Sequence, residues 1–163
     1  YDEVKKACKL SFKENVLDAY CGVGSIGIYL AKWAKEVVGV ESNKQAVLNA
    51  KENATLNKIK NIRFIEGKAS NVLPYLVKDH FIPDVMVFDP PRTGMTPDIK
   101  EAIKKCLPKR IVYVSCNPAS LAMDLAELTK DYQVKYIQPI VMFPYTSHVE
   151  SVCLLSLKDI NNK

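Results

Sequence analysis

The 163 residues predict one α/β domain built on a mostly parallel sheet, and three observations lead there. Short β-type runs alternate with helix-type stretches through most of the chain. Those stretches are long enough for helical crossovers, which parallel neighbours require. Residues with chemical potential cluster where the β-type runs end, the carboxyl edge at which open α/β sheets bind their ligands.

In chain order, Val16-Leu17 leads into a glycine-rich turn, and a helix follows over about 26–34. Val37-Val38-Gly39-Val40-Glu41 reads as the next strand. From Asn43 to Asn57 the chain is polar, with Ala46, Val47, Ala50 and Ala54 on one face at the 3.6-residue period of an amphipathic helix. Residues 62–65, 84–88 and 111–114 are further strands, with helical stretches over 70–76, 97–107 and 118–128. The tail breaks this rhythm. Residues 136–143 and 151–157 read as two strands separated by Pro144-Tyr145-Thr146-Ser147-His148, too short for a helical crossover. They predict an antiparallel hairpin at one end of the sheet. No repeat, low-complexity segment or linker divides 1–163.

Composition fits one globular domain, at 48% hydrophobic and 25% charged residues, and no apolar run is long enough to span a membrane. The net charge of +5 suits a nucleic-acid partner without requiring one. Five cysteines (Cys8, Cys21, Cys106, Cys116, Cys153) are odd in number, and no pair has zinc-finger or CxxC spacing. Reduced thiols, no metal site and a cytoplasmic setting are the expectation. The chain opens on Tyr1 instead of Met and so reads as part of something longer. Oligomeric state is not legible.

Two ends of the sheet edge carry the chemistry. The cofactor end is Asp18-Ala19-Tyr20-Cys21-Gly22-Val23-Gly24-Ser25-Ile26-Gly27, where glycines let a tight strand-to-helix turn approach a ligand. Glu41, ending the second strand, can accept both hydroxyls of a ribose. A plain glycine turn with a solvated acid is the alternative. A nicotinamide dinucleotide and S-adenosylmethionine both suit this layout. Asp18, placed before the glycines where it can face a cationic aminoalkyl group, favours the second. So does Asp89-Pro90-Pro91-Arg92, where two prolines stiffen the backbone after a strand-end carboxylate.

The chemical end is Val112-Tyr113-Val114-Ser115-Cys116-Asn117-Pro118. Pro118 suits a helix's first turn and Asn117 or Ser115 can cap it. Cys116 is thereby placed at a strand's end beside helix N–H dipoles, which lower a thiol's pKa. Asp89, Cys116 and the segment His148-Val149-Glu150 then fall at neighbouring strand ends. A thiol and two carboxylates beside a methyl donor suit methylation of a pyrimidine at C5. A thiolate adds to C6, C5 becomes nucleophilic, and a base then removes the C5 proton.

Asp18-x-Tyr20-Cys21-Gly22-x-Gly24, Asp89-Pro90-Pro91-Arg92, Ser115-Cys116-Asn117-Pro118 and Met142-Phe143-Pro144-x-Thr146-x-His148-Val149-Glu150 together resemble the RNA uracil-C5 methyltransferases. The resemblance runs from about Asn15 to Leu157. It implies a Rossmann-like class I methyltransferase fold with a mostly parallel seven-stranded sheet, S-adenosyl-L-methionine as cofactor, and 5-methyluridine formation in RNA, ribosomal ahead of transfer RNA. It implies Cys116 as nucleophile on uracil C6 and Glu150 as the base for the C5 proton. Tyr20, Gly22, Gly24, Glu41 and Asp89 would line the cofactor site, with Asp89 also near the uracil. Arg92 is a weaker candidate for orienting substrate, and His148 shapes the loop without a catalytic part.

Three departures accompany the resemblance. Glu66-Gly67-Lys68-Ala69 offers Lys68 where relatives often place an acid facing the adenine, which leaves adenine contacts mainly to backbone. Some members carry Phe at the Tyr20 position. Full-length members also have an N-terminal RNA-binding barrel, a further insert domain that sometimes holds an iron–sulfur cluster, and a cofactor-binding glutamine, so the chain reads as a catalytic domain alone. Two other readings stand beside this one. Asp-Pro-Pro also marks amino-group methyltransferases, although Arg92 replaces their aromatic residue and Cys116 and Glu150 would have no part. A non-catalytic Rossmann-like RNA-binding module is the other.

Overall fold

The alternation of apolar runs and helices closes into one sheet covered on both faces. The computed structural model describes residues 1–142, 144–146 and 149–159. Its elements are α1 (Asp2–Cys8), β1 (Asn15–Asp18), α2 (Ser25–Leu30), β2 (Glu36–Glu41), α3 (Lys44–Leu56), β3 (Ile62–Glu66) and α4 (Ala69–Lys78), followed by β4 (Val85–Phe88), α5 (Pro97–Cys106), β5 (Arg110–Ser115), α6 (Pro118–Leu128), β6 (Tyr132–Ile140) and β7 (Glu150–Leu157). The seven strands lie in the order β3-β2-β1-β4-β5-β7-β6. β1 to β5 are mutually parallel, and β7 enters antiparallel between β5 and the edge strand β6. Strand order reverses between β1 and β4, so their carboxyl ends open a crevice, the place where such sheets bind ligands.

The central strands are continuous apolar runs because helices cover both faces. Leu17, Met86, Phe88, Ile111 and Tyr113 pack on one side with Leu73 and Leu76 of α4 and Ile99 and Ile103 of α5. Val16, Val85, Val87 and Val112 pack on the other with Ala7 and Cys8 of α1 and Leu30 of α2. All of these residues are fully buried. A rigid, doubly packed sheet therefore holds the strand ends that form the site. Among the described residues, no helix is long and apolar enough to cross a membrane.

The expected architecture is present, with local differences. Helix α1 was not anticipated from the sequence. It is seven residues long, with four charged residues over only three buried ones. Helix α2 ends at Leu30, short of the expected 34. The first strand of the hairpin is Tyr132–Ile140 instead of 136–143. A register shift between Val134 and Tyr136 explains this, since the extra residue interrupts the period-2 alternation that marks a strand. Pro139 is tolerated because β6 is the edge strand. Phe143, Ser147 and His148, all within sequence motifs noted above, lie outside the described residues.

Candidate active site

The strand register assembles the chemical end. Antiparallel pairing of β5 with β7 ends with Ser115 opposite Ser151, so Cys116 and Glu150, the residues next to that last pair, lie at the same sheet edge. Glu150 is itself paired with Ile140 of β6, which fixes the first residue of β7 from its other side. Asp89 directly follows β4, whose Phe88 is in register with Tyr113 of β5. Residues far apart in sequence thus share one edge because β4 and β5 end there and β7 begins there.

The turn after β5 is built as the sequence predicts. Pro118 is the first residue of α6 and Asn117 is its N-cap, the side chain accepting from Ala119 N–H at 3.0 Å. Ser115 Oγ accepts from Asn117 N–H at 3.1 Å and donates to the Asn117 carbonyl at 2.9 Å, locking the residues on either side of the cysteine. Asn117 Nδ2 donates to the Arg92 carbonyl at 3.0 Å. One side chain therefore ties the Asp89–Arg92 segment to the cysteine turn. Cys116 is half-buried at the helix entrance. Burial pushes the Cys8 thiol up to about 12 and the Cys106 and Cys153 thiols up to about 11, which keeps all three protonated.

Asp89 reaches solvent at the crevice mouth. Protein packed around its carboxyl, followed by the negative charge of Glu150, pushes its pKa up to about 6. The nearby Glu150 charge thus adds to burial in disfavouring ionisation of Asp89.

The segment between Asp89 and α5 is braced from beneath by a buried acid. Asp124 Oδ2 accepts from Met95 N–H at 2.8 Å and from the Tyr113 hydroxyl at 2.6 Å, while Oδ1 pairs with Lys100 Nζ at 2.9 Å. Gly94, at φ 82°, passes so close that a Cβ there would lie 2.6 Å from Asp124 Oδ2. Nothing in the sequence pattern marked Asp124, because its partners come from three other elements.

The cofactor end is a cavity of about 300 Å³, the lower end of the range for small-molecule sites. Tyr20 and Glu41 line it, as the sequence predicts. Glu41 Oε2 accepts from Gly22 N–H at 3.1 Å and Oε1 from Asn43 N–H at 2.8 Å, so the carboxylate joins the glycine turn to the start of α3. Gly22 and Gly24 have φ of 52° and 85°, a region that side chains disfavour, and a Cβ on Gly24 would lie 2.8 Å from the Phe64 ring. Gly22, Gly24 and Asp89, expected at the cofactor site, do not form its wall.

Asp18 is placed differently from the rest. It is fully buried behind the turn, with Oδ2 accepting from Gly27 N–H at 2.9 Å. Its other oxygen is buried with no hydrogen-bond partner among the described residues. Burial pushes its pKa up to about 7. The Gly27 N–H opposes that rise, and the Asp89 and Glu41 charges add to it.

Lys68, noted in the sequence, lines the cavity as well, and three further wall residues were not named there: Ser70 entering α4, and Thr96 and Asp98 entering α5. A signal existed for α5. Thr96-Pro97 pairs a cap-type residue with a proline at the first helical position, just after the Asp89 segment.

Similarity to known proteins runs across almost the whole chain. Residues 4–158 match the model of the family described as tRNA (Uracil-5-)-methyltransferase. A protein of Halalkalibacterium halodurans described as an uncharacterized RNA methyltransferase is 51% identical over 156 residues, covering 95% of this chain and 34% of that protein. One of Bacillus anthracis, described in the same way, is 49% identical over 158 residues, covering 97% and 34%. The chain thus spans about a third of the length of these relatives. Among solved structures, the tRNA (uracil-54, C5)-methyltransferase of Pyrococcus abyssi, in complex with S-adenosyl-L-homocysteine, superposes with a TM-score of 0.78 at 36% identity, covering 94% of this chain and 37% of that one.

Proposed function

The chain belongs to the tRNA (uracil-5-)-methyltransferase family, and from that membership we propose that it is the S-adenosylmethionine-dependent catalytic unit of an RNA methyltransferase acting on C5 of a uridine. One observation supports the reading: Cys116 and Glu150 flank the last pair of β5 with β7, Ser115 and Ser151, and Asp89 lies within the field of Glu150.

The residues present fit the cofactor. Glu41 presents a carboxylate on the cavity wall for a ribose diol, and its bond to Gly22 N–H places the glycine turn alongside. The buried Asp18 oxygen at the end of β1 has no hydrogen-bond partner among the described residues, which leaves an acceptor unused there. S-adenosylmethionine, when bound, supplies an electrophilic sulfonium methyl group.

The chain's own residues then divide the work. The Cys116 thiolate adds to uracil C6, and the displaced electron pair moves to C5 and O4 as an enolate, which makes C5 nucleophilic. After C5 has gained its methyl group, Glu150 takes the C5 proton. The electron pair left behind re-forms the C5–C6 double bond and expels Cys116 as thiolate, so the nucleophile is recovered and one proton has passed to Glu150. Asp89, with a pKa of about 6, can hold or release a proton near neutrality. It can therefore meet either the N3–H or the O4 edge of the base. Helix α6 begins just beyond Cys116, so the positive end of its dipole lies beside the cysteine turn.

The target base must leave its stack to reach a crevice at a strand edge, so a single-stranded or loop uridine is expected. The Pyrococcus relative is a transfer-RNA enzyme by name, whereas the sequence argument placed ribosomal RNA first. The test therefore uses both. Undermethylated ribosomal and transfer RNA are incubated with S-adenosylmethionine, and the methylated base is mapped by mass spectrometry. 5-Methyluridine is the expected product, lost in Cys116→Ala. Methyl groups on an exocyclic amine would overturn the assignment.

A further inference from the structure

The cavity has two acidic walls, and the proposed chemistry uses only one. Glu41 stands at the end of β2. Across the cavity, Asp98 at the start of α5 is joined to Ser70 at the start of α4, the Ser70 hydroxyl donating to Asp98 Oδ2 at 2.7 Å. The Thr96 hydroxyl bonds to the same carboxylate and also to Tyr20 on the cavity floor. Hydroxyl donors from Thr96 and Ser70 hold the Asp98 carboxyl below its usual range.

The chemistry of a nucleoside decides what such an acceptor can do. With the ribose on Glu41, the amino-acid arm at the 5′ carbon must run toward Asp18, Asp89 and Cys116, where the methyl is used. The base at the 1′ carbon must run the other way, toward the entrances of α4 and α5. Of the side chains on that wall, Lys68 is a cation and cannot accept a hydrogen bond. The Ser70 hydroxyl proton is already committed to Asp98. Of the side chains at these two helix entrances, Asp98 alone is a carboxylate, the strongest acceptor for an exocyclic amine.

We propose that Asp98, held in place by Ser70, reads the exocyclic amino group of the cofactor's adenine and makes this site select a 6-amino purine over a 6-oxo purine. The proposal rests on the cofactor reading above. Asp98 is a specificity-determining residue here and takes no part in the methyl-transfer chemistry. A 6-oxo group turns an acceptor toward a carboxylate, so the wrong base leaves both unpaired.

The test is calorimetric and needs no turnover. The full chain is titrated with S-adenosylhomocysteine and with S-inosylhomocysteine, which carries oxygen in place of the amino group. The wild-type chain is expected to prefer the adenosyl compound by about 10- to 100-fold, the range of a hydrogen bond to a charged partner. Asp98→Asn, nearly the same shape, can donate to the 6-oxo group and is expected to cut that preference to about 3-fold or less. Ser70→Ala is expected to narrow it partway. Thermal melts confirm that each variant is folded. An unchanged preference in Asp98→Asn, or an equal loss of both ligands, would overturn the assignment. Failure of the wild-type chain to bind S-adenosylhomocysteine would overturn the cofactor reading beneath it.

Discussion

Replacing Asp18 by Asn should change how stability depends on pH more than stability itself. Asp18 is fully buried and its pKa is pushed up to about 7, against an unfolded reference of 3.8. A carboxyl whose pKa rises on folding contributes stability that is complete below pH 3.8 and is lost as pH climbs through 7. Linkage between those two values gives a destabilisation of roughly 2–3 kcal/mol between about pH 5 and pH 8 from this one group. The Asp18→Asn variant keeps an oxygen for Gly27 N–H but cannot ionise, so it should lack this component. Its extra buried N–H₂ costs about 1–3 kcal/mol at every pH and cancels when two pH values are compared. Urea unfolding of both proteins at about pH 5, 6.5 and 8 measures the difference directly. The Asp18→Asn variant should gain on the wild type by roughly 2–3 kcal/mol between about pH 5 and pH 8. A difference that stays constant with pH would refute the assignment of a buried, protonatable Asp18.

Two further changes probe the joints of the site. Asn117→Ala removes the α6 cap and the bond to the Arg92 carbonyl. Chemical unfolding should show a loss of about 1–2 kcal/mol, and stopped-time trapping should show slower attack by Cys116 with unchanged S-adenosylhomocysteine affinity. Glu41→Gln removes a charge that accepts from Gly22 and Asn43. Calorimetry should show S-adenosylhomocysteine binding weakened by about 10- to 100-fold, as for loss of a charge-assisted hydrogen bond.

What the sequence revealed and what it hid have different physical origins. The cysteine turn was legible because capping is local: Asn117 and Pro118 act on backbone groups close by in the chain. The glycine turn and the β1-to-β5 alternation were legible for the same reason, since a buried parallel strand writes itself as an apolar run. The placing of Cys116 and Glu150 beside the Ser115–Ser151 pair was anticipated only as a shared edge. Its register depends on β7 slipping between β5 and β6, which no local pattern encodes. Asp18 sits at the expected strand end, yet its burial and its bond to Gly27 follow from how α2 packs back over β1. Asp98 and Asp124 were invisible for a related reason. Each is an ordinary helical acid until Ser70 on α4, or Met95, Lys100 and Tyr113, is brought to it by the fold.

The central claim is that Cys116 bonds covalently to a uracil. RNA containing 5-fluorouridine tests it, because fluorine at C5 leaves Glu150 no proton to remove and halts the reaction before the thiol is expelled. With S-adenosylmethionine present, the wild-type chain should form an adduct that survives denaturing electrophoresis and maps by peptide mass to Cys116. Cys116→Ala should form none while still binding S-adenosylhomocysteine. An adduct on another residue, or full methylation by Cys116→Ala, would contradict the account.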